Sequence, residues 1–338
     1  MRTIPVEEAV GTVLPHDMTQ ILPGEFKGVG FRKGHVIREE DIPELKKIGK
    51  NFIYVLELLE RQLHEDDAAL RIARAISGEN IEWTSPKEGK STLLSKRNGL
   101  LKIETGRLLD INRLENIAVS TIRTMTPVRA GQTIAATRVI PLVIDESRIK
   151  QVEQIAQRSS VLRVMPYRKL KIGAVVTGTE VYQGLIKDGF DEFVGSKVEM
   201  YGSDLIKKII VPDDVDAIAR AVGQLLKLGC ELILTTGGLS VDPDDVTPSG
   251  VRKSGAEIIN YGSPVFPGAM VLYAKHGEVT ILGLPACVYY AKTTILDVLL
   301  PRILANEEIV KDTFALMGHG GLCWECPTCK FPNCSFGN

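Results

Sequence analysis

Residues 234–250 read LTTGGLSVDPDDVTPSG, an apolar lead followed by paired glycines, hydroxyl side chains, three aspartates and two prolines. Glycines placed directly after a strand let a ligand approach the backbone amides, and Thr235, Thr236 and Ser240 add hydroxyls suited to phosphate oxygens. Asp242, Asp244 and Asp245 would repel a bare phosphate. Carboxylates beside a phosphate cradle make sense if they hold Mg²⁺ or bind a ring edge rich in N–H donors. The plain alternative is a solvated turn stiffened by Pro243 and Pro248.

Working outward, the surrounding chain alternates strands with helices from Lys169 onward. LKIGAVVTG, IIVPDD, ELILTTGG and VTILGLP are short apolar strand runs. Between the second and third lies a helix with Asp213 or Asp214 as N-cap. Its apolar positions Val215, Ile218, Ala219, Val222, Leu225 and Leu226 fall at i, i+3, i+4, i+7 spacing, and Gly229 stops it. The pattern predicts an α/β domain with a mostly parallel sheet, in which ligands collect at the carboxyl ends of the strands. The motifs TGTE, PDD, TTGGLS and GLP sit at those ends.

The N-terminal half reads differently. Residues 1–60 are punctuated by Gly24, Gly28, Gly30 and Gly34 and predict a small β-rich module closing on a strand at Phe52 to Leu56. Residues 61–166 predict a second α+β module with a helix over Leu63 to Ile76 and a linking helix over Asp145 to Arg163. The α/β domain then covers 167–305, and a cysteine-rich tail 306–338. Net charge is −1 over 338 residues, which gives no electrostatic reason to expect nucleic acid or an anionic membrane. There is no apolar leader near residue 1 and no run near the roughly 18 apolar residues of a membrane span, so the expectation is a cytoplasmic protein. His16, His35, His64 and His276 are scattered without ligand spacing and read as solvated or core-edge residues.

Several motifs in one order carry a resemblance. TGTEVYQGLIKD, IVPDD, LILTTGGLSVDPDDVTP, SPVFPGAM and LGLP are similar to the molybdopterin-binding domain shared by molybdopterin molybdenumtransferases and the smaller molybdopterin adenylyltransferases. The likeness spans about Leu170 to Leu304; the N-terminal half resembles the entry modules of the transferases more weakly. It implies a three-layer α/β domain that binds the pterin-dithiolene phosphate, with molybdate inserted with the help of Mg²⁺. Position by position, it implies cofactor contacts from Thr177, Gly178, Thr179 and Glu180, from Asp213 and Asp214, from Thr236, Gly237, Gly238 and Ser240, and from Gly283 and Pro285. Asp188, Asp242 and Asp245 are the implied catalytic carboxylates. Capping of the helix explains Asp213 and Asp214 equally well.

Departures from the family set a second reading beside the first. After Gly283-Leu284-Pro285 come Ala286, Cys287 and Val288 instead of Gly-Asn-Pro, the lysines flanking a Pro-Gly pair are absent around Pro267-Gly268, and the last β-barrel of the transferases is replaced by the tail. The expected function is therefore molybdate insertion in molybdenum cofactor biosynthesis, or else a non-catalytic carrier that hands cofactor to an apo-molybdoenzyme. The resemblance also implies a homo-oligomer. In the tail, Cys323, Cys326, Cys329 and Cys334 are spaced C-x2-C-x2-C-x4-C, which can close a tetrahedral zinc shell or supply ligands to an iron–sulfur cluster; a disordered tail with free thiols is the alternative.

Overall fold

The computed structural model describes residues 2–56, 58–157 and 159–337, and the chain falls into two compact units. The first comprises residues 1–96, 103–122 and 130–163. It is β-rich, as the glycine punctuation and β-branched runs predict. A hairpin joins Met18–Leu22 to Phe26–Phe31, Arg2–Pro5 pairs antiparallel with Phe52–Val55, and a four-stranded antiparallel sheet runs in the order Ile81–Trp83, Lys90–Ser95, Thr133–Val139, Ile117–Thr121. Ile4, Val6, Leu14, Ile37, Leu45 and Ile53 close a small core at the start of the chain. The predicted helix at 63–76 is Glu65–Ile76, and the linking helix is Glu146–Gln157. Arg71 on the former bridges Glu146 and Glu153 on the latter at 2.8 and 2.9 Å.

The second unit holds residues 97–102, 123–129 and 164–338. Its centre is a six-stranded sheet of β1 (Lys171–Thr177), β2 (Asp204–Val211), β3 (Leu232–Thr236), β4 (Glu257–Tyr261), β5 (Leu272–His276) and β6 (Val279–Leu284), in the order β2-β1-β3-β6-β5-β4. The first four in that order pair in parallel, and the β6-β5-β4 edge is antiparallel. Both faces are covered. Side chains on β1 and β3 alternate: Ile172, Ala174, Val176, Leu232 and Leu234 join a core with helix α3 (Ile295–Leu304), while Val175 and Ile233 join one with α1 (Val215–Lys227) and α2 (Thr247–Lys253). The domain is thus three-layered.

The helix read from the sequence between the second and third strands is α1. Ile218, Ala221, Val222 and Leu225 are buried on its inner face, and the larger side chains contribute about 1.5–3 kcal/mol each against exposure. Asp214 caps it, its carboxylate accepting the Ala217 amide at 2.7 Å. Among the described residues no helix is long and apolar enough to cross a membrane.

Candidate ligand site at the carboxyl ends of the strands

β1 and β3 end side by side, and their loops interlock through hydroxyls. Thr177 Oγ1 donates to the carbonyl of Thr236 at 3.1 Å and lies 3.3 Å from Thr247 Oγ1, which donates to the carbonyl of Gly237 at 2.9 Å. Tyr289 donates to Thr236 Oγ1 at 2.7 Å. Burial pushes the Tyr289 phenol above its ordinary range, which keeps it a donor.

The paired glycines have a reason within the protein itself. Gly237 has φ +87°, and a Cβ there would stand 2.3 Å from the Thr177 carbonyl oxygen. Gly238 has φ +58°, and its Cβ would meet Thr247 Oγ1 at 2.6 Å. The residues let two strand ends approach closely. Among the described residues, the amides of Gly238, Leu239 and Ser240 donate to no protein acceptor. Successive unpaired amides after a strand form a concavity suited to anionic oxygens.

The remaining sequence-derived residues divide into those brought to this rim and those that are not. Asp213 accepts the Thr179 amide at 2.8 Å and its hydroxyl at 3.1 Å, tying the loop after β2 to the loop after β1. The acidic turn therefore separates into a loop tie, Asp213, and a helix cap, Asp214. Glu180 is exposed beside Gly178, whose φ of +145° turns the loop. Thr235, read from the sequence as a hydroxyl donor, is fully buried in β3 with no partner for Oγ1. Gly283 is also interior: a Cβ there would press on Leu272 and Leu239 at 2.9 and 3.1 Å, so its smallness serves strand packing. Pro285 begins the turn Ala286–Tyr289 that delivers Tyr289 to Thr236.

The three carboxylates do not converge. Asp242 and Asp245 share one exposed turn, with the Asp242 amide donating to the Asp245 carboxylate at 2.8 Å. Asp188, on the loop after β1, has one oxygen accepting the Phe190 amide at 2.9 Å and the other 2.6 Å from Lys208 Nζ on β2. Lys208 also pairs with Asp191 at 2.5 Å. Burial lowers the Lys208 pKa, but the bonds to Asp188 and Asp191 outweigh it and hold the ammonium above its ordinary range. Among the described residues no three His, Cys, Asp or Glu side chains are grouped as ligands for a metal ion.

Sequence reasoning missed Lys208, Tyr289 and Tyr261. Tyr261 on β4 donates to the Leu239 carbonyl at 2.9 Å and anchors the glycine loop from across the sheet. Lys208 stands in an unremarkable charged stretch of an edge strand, and only the folded register places it against Asp188.

Comparison with known proteins agrees with the motif reading. Residues 173–305 match the family described as "Probable molybdopterin binding domain", and residues 3–57 match "Domain of unknown function (DUF8806)". The resemblance drawn from the strand-end motifs thus holds over the α/β domain. A molybdopterin molybdenumtransferase of Synechococcus elongatus is 28% identical over 180 residues, covering 49% of this chain and 43% of that protein. A CinA-like protein of Amoebophilus asiaticus is 30% identical over 76 residues, covering 22% and 18%. The chain therefore spans less than half the length of these curated relatives. Among solved structures, a molybdopterin biosynthesis protein from Pyrococcus horikosii aligns over 91% of this chain and 76% of its own at 12% identity and a TM-score of 0.35. MoaB from Thermus thermophilus aligns over 41% and 98% at 16% identity and a TM-score of 0.31.

Proposed function

We propose that the chain binds molybdopterin, with its phosphate on the amides of Gly238, Leu239 and Ser240, and acts in molybdenum cofactor biosynthesis as a molybdenumtransferase-like enzyme. The observation that carries the reading is the unpaired amide run at two left-handed glycines, in a domain similar to molybdopterin-binding domains. Thr179 and Ser240 stand on the same rim and can accept or donate to oxygens of the pterin or phosphate. Holding the substrate rigidly is the contribution these residues make: hydroxyls locked by Thr177, Thr247 and Tyr289 fix the loop before the ligand arrives. The carboxylates of exposed Asp242 and half-buried Asp245 suit the N–H edge of a pterin ring, so no step is assigned to Mg²⁺.

A carrier that holds cofactor for an apo-molybdoenzyme is the second reading, and the Asp188–Lys208 pair favours it. A carboxylate 2.6 Å from an ammonium is neutralised and not free to bind a divalent ion. One experiment tests binding and another separates the readings. Purified protein is titrated with molybdopterin beside Ser240→Asp, which adds a negative charge at an exposed position without disturbing the packed glycines. Tenfold or greater weakening is expected; equal affinity would place the phosphate elsewhere. Incubation with molybdopterin, molybdate and Mg²⁺, followed by reconstitution of an apo-molybdoenzyme, should yield more than one active cofactor per chain, and a yield capped at one would leave only the carrier.

A further inference from the structure

The last segment of the second unit is ordered by very little apolar burial. After the helix Lys311–Leu316, the described tail forms no further helix or named strand, only an isolated bridge from Leu322 to Phe266. Phe336 is buried, and Phe331, Cys323 and Cys334 are partly buried against the core. Backbone bonds tie it at a few points: the Phe266 amide donates to the Gly321 carbonyl at 2.7 Å, the Cys323 amide to the Phe266 carbonyl at 2.8 Å and the Gly337 amide to the Gly320 carbonyl at 3.0 Å.

All four tail cysteines, Cys323, Cys326, Cys329 and Cys334, line one cavity of 420 Å³. Its opposite wall is the segment after the turn Ala286–Tyr289, including Lys292 and Thr293. The surroundings are those of sulfur ligands with their outer shell in place. Thr293 Oγ1 is 3.0 Å from Cys329 Sγ, and the Glu325 amide donates to Cys323 Sγ at 3.5 Å. Lys292 donates to the Pro327 carbonyl at 2.8 Å, which fixes the turn between Cys326 and Cys329. Lys292, Lys330 and Glu325 line the cavity, leaving one positive charge over to set against the excess negative charge of four thiolates around a divalent ion.

We propose that Cys323, Cys326, Cys329 and Cys334 bind one zinc ion per chain. The sulfurs are not yet at ligand spacing, since no three such groups are gathered among the described residues. A shared cavity and short C-x2-C loops let the ion draw them together, each thiol releasing its proton to solvent as its sulfur bonds the metal. A closed four-sulfur shell leaves no open position for a reactant, so the role is to order the tail and, through Lys292 and Thr293, the 290–293 segment it touches. The assignment is independent of pterin binding.

The test is metal analysis of full-length protein purified anaerobically, then removal of metal and titration with Zn²⁺ against a chromophoric chelator and with Co²⁺. One zinc per chain and a Co²⁺ spectrum with thiolate charge-transfer bands and tetrahedral ligand-field bands are expected. Each Cys→Ser change should weaken binding by more than the roughly 10–100-fold that loss of an outer-shell partner costs. Thr293→Val, nearly isosteric and removing only the hydroxyl against Cys329 Sγ, should weaken it within that range, and it keeps the test decisive if a cysteine variant does not fold. Metal-free protein that has four titratable tail thiols and takes up no Zn²⁺ would overturn the proposal. So would iron with sulfide, or undiminished zinc in the four-serine variant.

Discussion

Replacing Gly237 by alanine should damage the domain more than the same change at Gly238, although the two are neighbours with the same left-handed sign of φ. At Gly237 the new Cβ falls 2.3 Å from the Thr177 carbonyl oxygen, a backbone atom held at the end of a strand paired on both sides. Relief requires the β1 and β3 ends to part. The left-handed conformation costs about 1–2 kcal/mol for alanine and the forced backbone shift about 1–3, giving about 2–5 kcal/mol in all. At Gly238 the obstacle is Thr247 Oγ1 at 2.6 Å, and a side chain can rotate away. The cost there is about 1–2 kcal/mol of conformation and about 0.5–1.5 for the lost bond from Thr247 to the Gly237 carbonyl. Urea unfolding followed by circular dichroism measures both, with the comparison read from midpoints at constant slope. In a Thr247→Ala background the Gly238→Ala penalty should shrink while the Gly237→Ala penalty stays. Equal destabilisation by the two glycine variants, or rescue of Gly237→Ala by Thr247→Ala, would refute the packing account of the loop.

Lys208→Met should leave Asp188 largely buried without its cation and cost about 1–3 kcal/mol, the upper range for broken buried pairs being reduced because the lysine side chain is 22% exposed. Because the folded Lys208 pKa is raised above its ordinary 10.5, this stability is fully present below that pH and is lost as pH rises through the folded value; melting curves of wild type and variant should converge only in strong alkali. Tyr289→Phe removes one donor from Thr236 Oγ1 and should cost about 0.5–1.5 kcal/mol, with ligand affinity falling because the loop is less firmly held; unchanged affinity and stability would exclude the tyrosine as a brace. Chelation of zinc should speed hydrogen exchange at amides of residues 286–293 while those of β1 and β3 stay protected, and uniform exchange behaviour with and without metal would show that the tail does not order that segment.

The parts of the fold visible in the sequence are those set by local rules. Helix α1 carries its cap, its apolar stripe and its glycine stop in consecutive residues, so its limits can be read directly. The parallel strands are short apolar runs ending in Gly, Thr and Asp, and their alternation with helices is enough to place the loops at one edge. What that reading could not supply is which atoms those loops meet. Asp213 and Asp214 are indistinguishable as neighbours, yet one caps a helix and the other ties Thr179, a division made by strand register. Gly283 looks like part of a binding motif but is needed by Leu272 and Leu239. Asp188 looks like a free catalytic acid until Lys208, twenty positions on, is brought against it by the β1–β2 pairing.

The loop after β6 shows why the departures from the family pattern belong together. Pro285 starts a turn whose Tyr289 hydroxyl reaches Thr236 at the end of β3, and four residues later Thr293 touches Cys329. A glycine and an asparagine at 286 and 287 would present a flexible backbone and an amide to a ligand. Ala286 is exposed and carries no side-chain amide, while Cys287 is buried, and burial raises its thiol pKa, so it stays a neutral packing group. Cys287 and Val288 fix the turn from inside, and the tail meets the residues that follow it at Lys292, bonded to the Pro327 carbonyl, and at Thr293, against Cys329 Sγ. On this view the cysteine tail and the altered loop form one device: together they supply rigidity beside the amide run of Gly238 to Ser240, where the sequence pattern alone would lead one to look for additional ligand contacts.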